Sequence, residues 1–138
     1  MKRILVAVGV LFCLSASLQR AGAADKKSKA GESPLDGKTY AVKIGQPGKP
    51  QSDDKLSFEN GTFGSDLCMP LGFARVKYGA THGRGDTWTF SAETKSPKEG
   101  KTTWKGTVKG NEIGGFMIWN KEGQAPVRYL FNGSLATK

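Results

Sequence analysis

The sequence predicts an all-β protein, an eight-stranded antiparallel up-and-down meander barrel preceded by a signal peptide. Apolar and polar residues alternate through a series of short runs, as they do in strands with one buried face. Turn dipeptides such as Asn60-Gly61 and Gly110-Asn111 separate several of these runs. No segment after the amino-terminal region has the apolar spacing of a helix. A two-sheet β-sandwich is the alternative, because glycines inside the strands fit a sandwich corner as well as a barrel bend.

The amino-terminal region predicts export from the cytoplasm. Met1-Lys2-Arg3 is a short positive segment, residues 4–18 are largely apolar, and Ala21-Gly22-Ala23 is a small-residue cleavage site. We therefore interpret residues 1–23 as a signal peptide, with a periplasmic or secreted product and no transmembrane segment after cleavage. Residues 24–35 are interpreted as a disordered polar lead-in, and residues 36–138 as the barrel domain.

The first five predicted strands follow from alternation and turns. Tyr40, Val42 and Ile44 alternate with polar or small residues in the first strand. The second and third meet at Asn60-Gly61, which suits a type I′ turn and places Phe58 opposite Phe63. The fourth and fifth strands are expected over residues 72–78 and 87–93.

For the remaining three strands, the sequence pattern also predicts the pairing register. A two-residue turn at Gly110-Asn111 sets Val108 opposite Ile113, Trp104 opposite Met117, and residue 102 opposite residue 119. The eighth strand is expected over residues 127–135. Agreement between turn chemistry and cross-strand partners favours a hairpin followed by a third strand.

The predicted interior contains all three tryptophans and all three tyrosines of the chain. Buried indole and phenol groups need hydrogen-bond partners, which backbone, water or a guest can supply. A barrel of this size is either filled by its side chains or holds one small ligand. The candidate ligand-binding residues are Tyr40, Trp88, Trp104, Trp119 and Tyr129.

Chemistry-bearing residues are sparse. Cys68 and His82 are the only thiol and imidazole after residue 23, and both are expected in loops that a simple meander places at opposite ends. The carboxylates show no metal-ligand spacing. The sequence therefore predicts no catalytic residues, no metal and no cofactor, and a protein that is not an enzyme.

The net charge of +9 is spread along the chain. No basic run is interleaved with aromatic residues, so nucleic acid is not an expected partner. If Trp119 lies near Val127, then Phe116, Ile118 and Leu130 form an outward apolar patch. This patch is the candidate contact for a homo-oligomer or an exported protein partner.

One run carries a family resemblance. The pattern W-x-G-x-V-x-G-N-x-I-x-G-x-x-x-W from Trp104 to Trp119, followed by residues 129–133, resembles small exported bacterial β-barrel proteins of uncharacterised function. More distantly, the architecture is similar to that of the calycins, the lipocalin-like and avidin-like barrels. These resemblances imply a barrel and assign no site residues.

The expected function is that of an exported, non-enzymatic binding protein. It would act as a carrier or sensor of a small apolar or aromatic ligand inside the barrel. The alternative is a protein-interaction module, for example an inhibitor of an exported hydrolase.

Overall fold

The computed structural model describes residues 27–28 and 33–137, and these residues form an all-β structure. One turn of 3₁₀ helix, Met69–Leu71, interrupts the strands, and no helix in the described ranges has the length and apolar character of a membrane span. The strands are β1 (Lys27–Ser28), β2 (Lys38–Gly45), β3 (Ser52–Glu59), β4 (Thr62–Ser65), β5 (Val76–Lys77), β6 (Gly79–His82), β7 (Thr87–Ser96), β8 (Gly100–Lys109), β9 (Glu112–Asn120) and β10 (Val127–Thr137).

All the strands belong to one sheet, in the order β1-β6-β7-β8-β9-β10-β2-β3-β4-β5. Nine of them form a nearly closed antiparallel barrel. Closure occurs at Tyr78, the single residue between β5 and β6, because β5 pairs with β4 while β6 pairs with β7. The predicted barrel is therefore confirmed in its all-β, antiparallel architecture rather than as a two-sheet sandwich.

The strand count differs from the prediction of eight. The predicted fourth strand begins at Val76 instead of Gly72, is divided at Tyr78, and continues to His82. The predicted strand divides because its two parts pair with different strands. Its first part, β5, pairs with the short β4, and its second part, β6, extends past the Asn60-Gly61 turn and pairs with β7. One bent segment thus pairs with two different strands, β4 and β7.

The predicted registers are confirmed at both hairpins. Phe58 pairs with Phe63 in β3–β4, and Trp104 pairs with Met117 in β8–β9. Asn60 and Gly61 both have positive φ angles, of 49° and 74°, as a type I′ turn requires.

Two inward-facing glycines allow the sheet to coil tightly. A Cβ atom on Gly115 would collide with the carbonyl oxygen of Lys105, and one on Gly133 with that of Ala41. Neither neighbour is a movable side chain, so both positions require glycine. The absence of side chains at these two positions lets neighbouring strands approach closely enough for the sheet to curve into a barrel.

Aromatic rings fill the barrel interior. The Phe58 ring centroid lies 4.9 Å from that of Tyr78 and 5.0 Å from that of Phe90, both in edge-to-face arrangement. Phe63 continues the cluster to Trp104, with ring centroids 5.1 Å apart. The centre of the barrel is therefore a packed core.

The two ends of the barrel are built differently. At one end, the turn Ser33–Gly37 hydrogen-bonds to the end of β3 and to the β3–β4 turn, and Leu35 within it is only 1% exposed. The β8–β9 turn lies at the same end, where its Asn111 carbonyl accepts a hydrogen bond from the Leu135 amide of β10. We call this the closed end. The opposite end carries the longer β4–β5 connection, and we call it the open end.

The Ser33–Gly37 turn includes residues 33–35 of the expected lead-in, so the ordered domain begins before Asp36. Residues 27–28 pair with β6. The predicted signal peptide, residues 1–23, lies outside the described residues.

Candidate functional site

The candidate site is an apolar pocket of about 190 Å³ at the open end of the barrel. We call it the mouth pocket. Barrel strands supply one side of it, and the β4–β5 connection supplies the other. It is lined by Ile44, Ser52, Asp54, Leu67, Cys68, Leu71, Phe73, Thr102, Met117, Trp119 and Tyr129.

The segment 66–73, which we call the lid, covers part of the mouth pocket. Cys68 and Phe73 point inward and are buried, whereas Leu67 and Leu71 are 44% and 53% exposed. The 3₁₀ turn ends at Gly72, whose φ of 92° reverses the chain and returns Phe73 to the core. The lid thus presents apolar residues both to the pocket and to solvent.

Side chains of the barrel hold both halves of the lid. The Ser96 hydroxyl donates a hydrogen bond of 2.7 Å to the Leu71 carbonyl. On the other half, the Asp54 carboxylate accepts hydrogen bonds from the Ser65 hydroxyl at 2.5 Å and from the Leu67 amide at 3.0 Å. The lid is therefore tied to β3 and β7 rather than free.

Asp54 is a buried carboxylate at the wall of an otherwise apolar pocket. Its residue is 5% exposed, and within the described residues no lysine, arginine or histidine forms an ion pair with it. Burial raises the pKa of Asp54, and repulsion from Asp66 adds to this rise, against the lowering effect of its hydrogen-bond donors. At this position the fold therefore carries an acidic group that has hydrogen-bond donors but no counter-charge among the described residues.

Trp119 is fixed at the pocket by the β7–β8 turn. Its indole N–H donates a hydrogen bond of 2.6 Å to the Glu99 carbonyl. The Glu99 carboxylate in turn lies 3.1 Å from the Lys121 ammonium. The indole nitrogen is thereby satisfied, and the ring remains half-buried beside the pocket.

The five predicted ligand-binding residues do not form one group. Trp119 and Tyr129 line the mouth pocket. Tyr40 and Trp104 are fully buried in the core, where the Trp104 N–H donates a hydrogen bond of 2.9 Å to Thr102 Oγ1. Trp88 lies towards the closed end.

His82 is in strand β6, which corrects its expected position in a loop. Its ring centroid lies 4.8 Å from that of Trp88, and its Nε2 hydrogen-bonds the Gly85 carbonyl at 2.7 Å. Cys68 lies at the opposite end, and burial raises the pKa of its thiol. The two side chains therefore do not form a thiolate–imidazole pair. Among the described residues, no three His, Cys, Asp or Glu side chains are grouped to hold a metal ion.

The candidate contact patch lies on the outer face of β9 and β10. Phe116 pairs with Leu130, and Ile118 pairs with Arg128, in the predicted register. The Arg128 guanidinium lies 4.6 Å from the centroid of the Phe116 ring and covers part of the patch. Leu130 remains 38% exposed.

Two larger concavities, of about 530 and 540 Å³, lie on the outer wall. One is bordered by Phe116 and hydroxyl residues above a floor of glycines, and the other by polar residues of β2, β3 and β10. Their linings are more polar than that of the mouth pocket. The apolar lining therefore favours the mouth pocket as the site.

Most residues of the mouth pocket were not among the candidate ligand-binding residues; the missed residues include Asp54, Leu67, Leu71 and Phe73. Asp54 could have been found by continuing the inward alternation of Phe58 and Leu56 by one more step. The lid residues carry no such period, because they lie in an irregular connection. Comparison with known protein families, curated proteins and solved structures gives no match to this chain.

Proposed function

We propose that the protein is an exported, non-enzymatic binding protein that takes a small apolar or aromatic ligand in the mouth pocket. The observation that carries this proposal is an apolar pocket bordered by Met117, Trp119 and Tyr129, with exposed leucines on its lid. Ligand sites are typically concave and apolar with a few polar groups. Periplasmic or secreted location is part of the proposal and rests on residues 1–23.

Because the interior is packed, we place the proposed ligand at the mouth of the barrel and not at its centre. Tyr40 and Trp104 are fully buried among other rings, so a guest beside them would have to displace core side chains. A cavity of about 150 Å³ can hold one benzene ring. The mouth pocket, at about 190 Å³, is therefore sized for one aromatic ring or a short aliphatic chain. A relationship to the calycin barrels remains a proposal based on architecture.

The experiment is a titration of the mature chain with benzyl alcohol, a neutral single-ring probe, followed by amide correlation NMR spectra and tryptophan emission. We expect shifts confined to the lid, Met117 and Trp119. Ser52→Phe places a ring at an exposed position that lines the pocket, and should weaken binding at least tenfold. Lys55→Phe is the matched control, because Lys55 is exposed and faces outward on the same strand. Equal binding by both variants would contradict the proposal.

The alternative is an interaction module that binds a protein partner through Phe116, Ile118 and Leu130. The observation in its favour is the cross-strand pairing of Phe116 with the exposed Leu130. Partners under this alternative are a second copy of the chain or an exported protein such as a hydrolase. Sedimentation of the wild type and Leu130→Ser at increasing concentration tests self-association, which the serine variant should weaken.

A further inference from the structure

The mouth pocket contains one acidic side chain that has no counter-charge among the described residues. Neighbouring aspartates on β3 show the contrast. Asp53 faces outward and forms an ion pair with Lys43, whereas Asp54 faces inward, lines the pocket and has no described cationic partner. A buried carboxylate is costly unless a cation or several donors compensate for it.

The hydrogen bonds of Asp54 leave room for one more donor. Its Oδ1 accepts from the Lys55 amide at 2.7 Å and from the Leu67 amide at 3.0 Å, and among the described residues its Oδ2 accepts only from the Ser65 hydroxyl. A carboxylate offers about four acceptor positions. One position on Oδ2 is therefore left, on a side chain that lies between the mouth pocket and the outer concavity of β2, β3 and β10.

We propose that the mouth pocket selects a small hydrophobic amine, whose ammonium group donates to Asp54 while its apolar body contacts Met117, Trp119 and Tyr129. This inference rests on the proposed function and narrows it to one ligand class. The ammonium supplies both the missing donor and the missing positive charge. Trp119 and Tyr129 line the same pocket, and aromatic rings attract cations. Anionic ligands of the same size are repelled by Asp54.

The test compares three single-ring probes that differ in charge: benzylamine, benzyl alcohol and benzoate. On the wild type we expect benzylamine to bind about tenfold or more tightly than benzyl alcohol, which corresponds to one charge-assisted hydrogen bond. Benzoate should bind more weakly than benzyl alcohol. Calorimetry and amide NMR titrations measure all three.

Asp54→Asn removes the charge and keeps an acceptor for the Leu67 amide. It should lower the ratio of the benzylamine affinity to the benzyl alcohol affinity to about one. Asp53→Asn is the matched control, since it makes the same change in net charge on the outward side of the same strand. It should keep the preference. Were Asp54→Asn unfolded, carbon NMR of the wild-type Asp54 carboxyl gives the same answer: saturation with benzylamine should lower its pKa, and benzyl alcohol should not.

The outcomes separate the two proposals. Binding of all three rings with equal affinity overturns the amine inference and leaves the mouth pocket as a ligand site. A benzylamine preference that persists in Asp54→Asn also overturns the inference. Failure of every probe to bind the wild type overturns both the inference and the proposed function.

Discussion

The two ends of the barrel use similar elements to opposite effect. At the closed end, the short Ser33–Gly37 turn buries Leu35, and the Asp36 carboxylate accepts a hydrogen bond of 2.8 Å from the Gly61 amide. At the open end, the longer lid leaves Leu67 and Leu71 exposed, and it is held partly by a buried acid. One end buries its apolar residues, and the other presents them.

This difference indicates that the closed end contributes mainly to folding stability and the open end mainly to binding. A fully buried leucine contributes to stability in full, whereas a leucine half exposed to solvent contributes little. A buried charge without a counter-charge, such as that of Asp54 among the described residues, lowers stability to the extent that hydrogen-bond donors or a ligand do not compensate for it. We therefore expect changes at the closed end to alter folding, and changes at the open end to alter binding.

The largest expected effect is that of Leu35→Ala at the closed end. Leu35 is 1% exposed, so its truncation leaves a cavity and should lower the free energy of unfolding by about 2–5 kcal/mol. Leu71→Ala is the matched change at the open end, and should cost no more than about 0.5 kcal/mol. Urea unfolding of both variants measures the contrast. Similar losses at the two positions would break the distinction between the ends.

A smaller effect is expected for Tyr40→Phe. Within the described residues, the Tyr40 hydroxyl is buried without a hydrogen-bond partner, so its removal should raise the free energy of unfolding by about 1 kcal/mol. Burial, with a contribution from Tyr78, also raises the pKa of Tyr40 from 10.0 to about 12. The folded state therefore holds this proton more tightly, and its contribution to stability is lost as pH rises from 10 to 12.

Tyr40→Phe should remove the loss of stability that ionisation of Tyr40 causes between pH 10 and 12, as measured by urea unfolding across that pH range. Tyr129→Phe at the open end is the control and should change the neutral-pH stability little, because Tyr129 is only partly buried. A destabilised Tyr40→Phe would instead indicate a bound water at the hydroxyl.

The smallest expected effect is the acid dependence due to Asp54. Its folded-state pKa is raised above the ordinary 3.8, chiefly by burial, so the folded state binds more protons than the unfolded state above that pH. Stability relative to Asp54→Asn should therefore fall as pH rises from 3.8 through the folded-state pKa, and then become constant. Thermal unfolding of both proteins between pH 3 and 8 measures the difference. A difference that grows with pH would mean that hydrogen bonding to Ser65 and Leu67 outweighs burial.

Much of the barrel wall could be predicted because local and cross-strand signals agree there. The Asn60-Gly61 turn, the alternation on its two sides and the pairing of Phe58 with Phe63 all specify one register. The predicted fourth strand lacked such agreement. Its division at Tyr78 depends on which strands lie on either side of it, and a local pattern does not contain that information.

The candidate site was less predictable than the wall. Trp119 and Tyr129 were identified by residue type, but Tyr40, Trp88 and Trp104 share that type and lie elsewhere. Depth along the barrel separates them, and it depends on strand stagger and closure. The lid has no period from which its contacts could be derived.

The sequence by itself determined the all-β class, the alternating inner and outer faces, and the registers of its best hairpins, because these depend on neighbouring residues and tight turns. Only the tertiary structure decided that the interior is filled, that Leu35 is buried at one end, and that Asp54, the lid and Trp119 line one pocket at the other. Those contacts join residues far apart in the chain. Their distances follow from how the sheet closes, a property of all its strands together.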